Sequence, residues 1–147
     1  MSLSQRITAE LKEAIKAKDA TRISCMRMLK ADLKNKQVEK GSDLDDREIE
    51  SVVSSLIRRG QEAAKEFRGG GRTDLAEKEE EEIRIFYEFL PEQLDSAEIE
   101  KKVKDIISEL SATGTGDLGR VMKAAMAQMA GKVQGKEVNE IARKLLS

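Results

Sequence analysis

Histidine and tryptophan are absent from this 147-residue chain, and proline and cysteine occur once each, at Pro91 and Cys25. Without histidine there is no Ser-His-Asp triad, no Cys-His pair and no histidine-ligated metal. A lone cysteine forms neither an internal disulfide nor a thiolate cluster, so the expected home is reducing and cytoplasmic. Aromatic residues make up only 3%, too few to interleave cations as a stacking platform for single strands. No apolar run approaches the ~20 residues of a membrane span. Met1 to Arg6 lacks the apolar stretch of a secretory signal, so neither a leader nor membrane association is expected. Any catalysis would have to run on carboxylates, lysines and arginines. The expectation is therefore a non-catalytic protein without cofactor or metal.

What is present is apolar spacing of a helical kind. The apolar fraction of 39% suffices for a core, and 27 basic residues nearly balance 28 acidic ones. Leu3, Ile7, Leu11, Ala14 and Ile15 form a first stripe at spacings of three and four, and Ile23, Met26, Leu29 and Leu33 a second, with Asp19 between them. Lys40 to Asp43 reads as a turn, and Asp45 with Glu48 has capping-box spacing before the long stripe from Ile49 to Phe67. Gly69-Gly70-Gly71 ends that helix, because three glycines leave the backbone too free to stay helical. A fourth helix begins near Thr73 and carries Leu75, Ile83, Phe86 and Leu90 up to Pro91. Asp95 and Glu98 predict another capping box, opening a helix from Ile99 to Leu110. Leu118 to Met129 and Val138 to Leu146 supply the last two. The predicted fold is all-α: a four-helix N-terminal unit over 1–91 and a three-helix C-terminal bundle over 92–147.

Charge is unevenly distributed. Residues 1–40 hold ten Lys/Arg against five Asp/Glu, and residues 41–91 hold eight against fourteen. Residues 113–147 hold six against three. Charge runs are ordinarily solvated faces, and Lys136–Glu140 and Glu140–Lys144 have the spacing of simple helical ion pairs. The sharper reading is that the cationic tail faces phosphates. Arg120 and Lys123 on the sixth helix, Lys132 in the connector, and Lys136 and Arg143 on the seventh are candidate RNA contacts. Arg27, Lys30 and Lys34 share a stripe on the second helix and form a second candidate patch.

Other motifs reduce to structure. Consecutive residues of the Glu77 to Glu82 run point in different directions around a helix, so a solvated face is expected and not a metal cluster. Gly69 to Arg72 lacks the Lys-Ser continuation of a phosphate loop and follows a helix. Gly114, Gly116 and Gly119 match a dinucleotide fingerprint only in spacing, and read as a loop and helix start. Met122, Met126 and Met129 read as core filler. Cys25 lies near Arg22 and Arg27, which would lower its pKa, but no base or resolving thiol accompanies it.

Several stretches resemble the YqeY-like family. They are Arg22 with Arg27-Met28-Leu29-Lys30, Gly71 to Glu79, Phe89-Leu90-Pro91-Glu92-Gln93-Leu94, Asp117 to Met122, and Gly131 to Val138. Phe89 stands where the family often has tyrosine. The resemblance implies four helices followed by three, and kinship with the tail of the B subunit of tRNA-dependent aspartyl/glutamyl amidotransferase. That enzyme is a carbon–nitrogen ligase with glutamine as amido donor, and its tail handles tRNA while the reaction centres lie elsewhere. The implied role is a translation-linked adaptor that binds tRNA or another structured RNA. The alternative is an accessory subunit docking on a protein partner in tRNA-dependent amidation, through the acidic segment 41–91 and the Met-bearing sixth helix. Fold kinship alone carries no chemistry across.

Overall fold

Seven α-helices and one 3-10 turn carry the chain, with no strand, in a computed structural model that describes residues 1–147. They are α1 (Leu3–Lys16), α2 (Ala20–Lys40), α3 (Asp46–Gly69), α4 (Thr73–Tyr87), α5 (Ser96–Leu110), the 3-10 turn Thr115–Asp117, α6 (Leu118–Gln128) and α7 (Gly135–Leu146). Two units separate by contact, Met1–Leu90 and Pro91–Ser147.

In the first unit, side-chain caps set the starts of three helices. The Ser2, Asp19 and Asp45 side chains accept from the backbone N–H groups of Gln5, Arg22 and Glu48, satisfying donors that a helix start leaves orphaned. At Asp45 the box is reciprocal, since Glu48 Oε1 accepts the Asp45 N–H at 3.0 Å. Gly41, at φ +81°, closes α2 in the left-handed region that glycine enters without strain. The apolar stripes then meet. Ile7, Met26, Leu29, Val53 and Ile57 are almost wholly buried, with Phe86 and Phe89 beside them. Each side chain so buried contributes roughly 1.5–3 kcal/mol. α3 and α4 pack closely because Gly60 has no side chain: a Cβ there would lie 2.9 Å from Ile83 Cγ1.

Two local expectations are corrected here. α4 stops at Tyr87, short of Leu90, and the N–H groups of Glu88, Phe89 and Leu90 turn back to carbonyls three residues earlier. The residue before Pro91 avoids helical geometry, and the chain tightens well ahead of it. Glu82 is not part of a solvated face. It is 8% exposed, while its neighbours Glu77 and Glu81 face solvent.

In the second unit, Ile99, Val103 and Ile106 of α5 meet Val121, Ala125 and Met129, and Val138, Ala142 and Leu146 of α7. Met122 and Met126 are partly buried against the same core. The predicted capping box at Asp95 is half formed: its side chain accepts the Glu98 N–H, and Glu98 does not return the bond.

Candidate nucleic-acid interface

The inward positions of α6 and α7 fix where their cations point. With Val121 and Ala125 buried, Lys123 falls on the outer side of α6, and with Val138 and Ala142 buried, Lys136 and Arg143 fall on the outer side of α7. All five tail candidates are exposed, but they are not equivalent.

Arg120 is engaged within its own unit. Its guanidinium donates to Asp117 Oδ1 at 3.1 Å and to the Leu110 carbonyl at 3.4 Å. Asp117 also accepts the Thr113 N–H at 3.0 Å. That bond and Arg120 hold its carboxyl below the usual aspartate range. Arg143 Nε donates to Asn139 Oδ1 at 2.8 Å. Lys123, Lys132 and Lys136 enter no ion pair. The expected pairs Lys136–Glu140 and Glu140–Lys144 do not close; the only ion pairs of the unit are Lys104–Glu100 and Arg120–Asp117. These extended side chains gain too little from an exposed pair to be held in one geometry.

The connector presenting Lys132 is fixed by its backbone. Gly131 takes φ +78°. The Lys132 carbonyl accepts the Leu94 N–H at 2.9 Å, and the Lys132 N–H donates to the Met129 carbonyl at 3.0 Å. Gln93 Nε2 donates to the carbonyls of Gly131 and Pro91 at 2.7 and 2.9 Å. Lys132 and Lys136 thus flank the start of α7, where Gln134 offers no side-chain cap and the helix dipole adds positive potential. Arg120 lies in the first turn of α6, about 12 Å of helix rise from Gln128 at its other end. Lys132 and Lys136 therefore share one locality, and Arg120 belongs to another.

On α2, Arg27, Lys30 and Lys34 are exposed along one side while Met26 and Leu29 are buried on the other. None of the three is in an ion pair, in contrast to Lys36 and Lys40 further along, which pair with Glu39 and Glu48.

A different set of charges does structural work that sequence reasoning missed. Arg22 donates to Glu88 at 2.8 and 3.1 Å and to Glu10 Oε2 at 3.0 Å. Arg6 donates to the Glu88 carbonyl at 2.7 Å, and its guanidinium lies 4.8 Å from the Phe89 ring centroid. The hydrogen bonds that Arg22 donates to Glu88 raise its pKa further. No local signal could have found a pair 66 residues apart.

Two further titratable groups, Cys25 and Glu82, are shifted mainly by burial. Burial pushes the Cys25 thiol up to about 12, opposite to the lowering Arg22 would give alone. Burial, with Glu79 and Glu81 nearby, lifts the Glu82 carboxyl above its ordinary value. No three His, Cys, Asp or Glu side chains gather in metal-holding geometry, and no helix is long and apolar enough to cross a membrane. Two open clefts are of about 310 and 340 Å³; the pairs Lys36–Glu39 and Lys40–Glu48 line most of the first, and the second mixes the pair Arg68–Glu80 with Gln61, Ala64, Lys65 and Ile83.

Comparison with known proteins adds to this geometry. The family described as Yqey-like protein matches residues 4–146. "Altered inheritance of mitochondria protein 41, mitochondrial" of Lachancea thermotolerans is 36% identical over 104 residues, 69% of this chain and 56% of the relative. Its counterpart in Kluyveromyces lactis is 33% identical over the same shares. That of Pyrenophora tritici-repentis is 25% identical over 134 residues, 90% of this chain and 74% of the relative. The chain spans a little over half the length of the first two. These names overturn the expected cytoplasmic location, since each relative is called mitochondrial. A single cysteine reports only that no disulfide is required, which does not separate one reducing compartment from another.

Proposed function

Because this chain belongs to the YqeY-like family, we infer that it works as a non-catalytic helical adaptor whose C-terminal unit binds structured RNA, with tRNA as the first candidate. The observation that carries the reading is that Lys123, Lys132 and Lys136 are exposed and free of ion pairs, as Lys101, Lys102 and Lys144 also are, and that Lys132 and Lys136 sit on or beside a backbone-fixed connector. A cation already neutralised by a carboxylate releases few counterions on meeting a phosphate; an unpaired one releases its full share. Arg120, paired with Asp117, serves as a marginal contact, while Arg143, bonded only to the neutral Asn139, keeps its full charge. Such contacts set register and orientation without reading base edges. Kinship with the amidotransferase tail, implied by the sequence resemblance, favours tRNA. The relatives' names make mitochondria the setting in which to look for it.

The test is retention of radiolabelled tRNA by the full chain on filters at two salt concentrations. The reading expects retention at 50 mM salt that is largely lost by 200 mM. Absence of retention at low salt would refute it. A linked incubation with glutamine, ATP and glutamyl-tRNA should yield no amide from the purified chain alone. The rival reading is docking on a protein partner through the acidic segment 41–91 and the Met-bearing α6, whose Met122 and Met126 are partly buried against the core.

A further inference from the structure

The outer face of α2 combines two features that a phosphate-binding surface does not need together. Ala20, Ser24, Met28, Ala31, Asn35 and Val38 recur at spacings of three and four, and all six are exposed. They form one row along about 27 Å of helix. None is charged, in a chain where 37% of residues are. By contrast, the exposed positions of α4 after Thr73, namely Asp74, Glu77, Lys78, Glu81 and Arg84, are all charged. Met28 is 41% exposed and Val38 76%. The helix consequently carries apolar groups on both sides, with Cys25, Met26 and Leu29 in the core.

Along one edge of this row run the unpaired cations Arg27, Lys30 and Lys34. A nucleic acid would use the cations and leave Met28 and Val38 in water. An amphipathic helix would use both, laying apolar side chains between Met28 and Val38 and carboxylates against the cation edge. The small residues Ala31 and Ser24 let a second helix axis approach closely. We propose that the outer face of α2 is a docking surface for an acidic amphipathic helix of a partner protein. Apolar contact at Met28 and Val38 supplies affinity, and the cation edge fixes orientation and steers encounter. The surface uses none of Lys123, Lys132 or Lys136, so this inference and the RNA reading can fail separately.

The test uses the full chain and a fluorescein-labelled 21-residue helical peptide, matched in length to α2, with leucine and alanine at three- and four-residue spacing and glutamate along one flank. Fluorescence anisotropy should show saturable binding, weakened about tenfold by Met28→Asp or Val38→Asp. Both sites are exposed, and circular dichroism checks that the variants stay helical. The triple change Arg27→Glu, Lys30→Glu, Lys34→Glu should abolish binding of the acidic peptide and create binding of a lysine-flanked version. Equal binding of a scrambled peptide of the same composition would overturn the proposal. So would displacement of the peptide by equimolar tRNA, or stronger uptake of the chain by phosphatidylserine vesicles that depends on Met28. A dimer in sedimentation equilibrium that Met28→Asp converts to monomer would assign the face to a second copy instead.

Discussion

Glu82 is the residue whose environment most contradicts its type. Its carboxyl is nearly buried and outside the ion pairs of its own helix, Arg68–Glu80 and Arg72–Asp74. Burial raises its pKa, so the folded chain holds this proton more tightly than the unfolded one. Stability from this group therefore falls as pH rises from the ordinary glutamate range through the raised value, and the penalty is complete above it. Glu82→Gln should raise the thermal midpoint at neutral pH, and the gain should vanish below the ordinary glutamate pKa. An unchanged midpoint at neutral pH would contradict this. Cys25 gives a second residue-level prediction. With its thiol fully buried and its pKa pushed up to about 12, it should resist alkylation at pH 8 in the native state and react promptly in denaturant. Thiol counting with Ellman's reagent checks it.

At the scale of elements, the helices were legible because their apolar residues recur at three and four and because α1, α2, α3 and α5 start at acidic or hydroxyl caps. Asp19, Asp45 and Asp95 all cap, and Asp45→Ala should cost about 1 kcal/mol, read from urea unfolding. What spacing could not give was the reciprocal arm of each box, which depends on a glutamate rotamer: Glu48 reaches back to Asp45, and Glu98 does not return to Asp95. Nor could it give the distance between helices. Gly60 lies inside the long α3 stripe at a point where Ile83 of α4 leaves no room for a Cβ. Gly60→Leu should lose roughly 1–3 kcal/mol by forcing Ile83 aside. A variant as stable as the parent in the same urea titration would show that the contact yields. The Arg22–Glu88 bridge was illegible for the same reason. Pairing across 66 residues is a property of the assembled unit.

For the whole molecule, the all-helical class followed from composition and period, while the interface was legible only in part. Spacing placed Lys123 and Lys136 on outer faces, and they are there. It could not tell an unpaired lysine from an engaged arginine, so Arg120 and Lys132 looked alike in sequence although one is held by Asp117. Compartment was not legible at all, since cysteine count tracks disulfide need and not address. The central claim is that Lys123, Lys132 and Lys136 of the C-terminal unit make this chain an RNA-binding adaptor. The most direct measurement is the salt dependence of tRNA affinity for the parent and for the triple variant Lys123→Ala, Lys132→Ala, Lys136→Ala. If each lysine neutralises one phosphate, the slope of log affinity against log salt should become shallower by about two to three in the variant. Equal slopes and equal affinities in the two proteins would contradict the account.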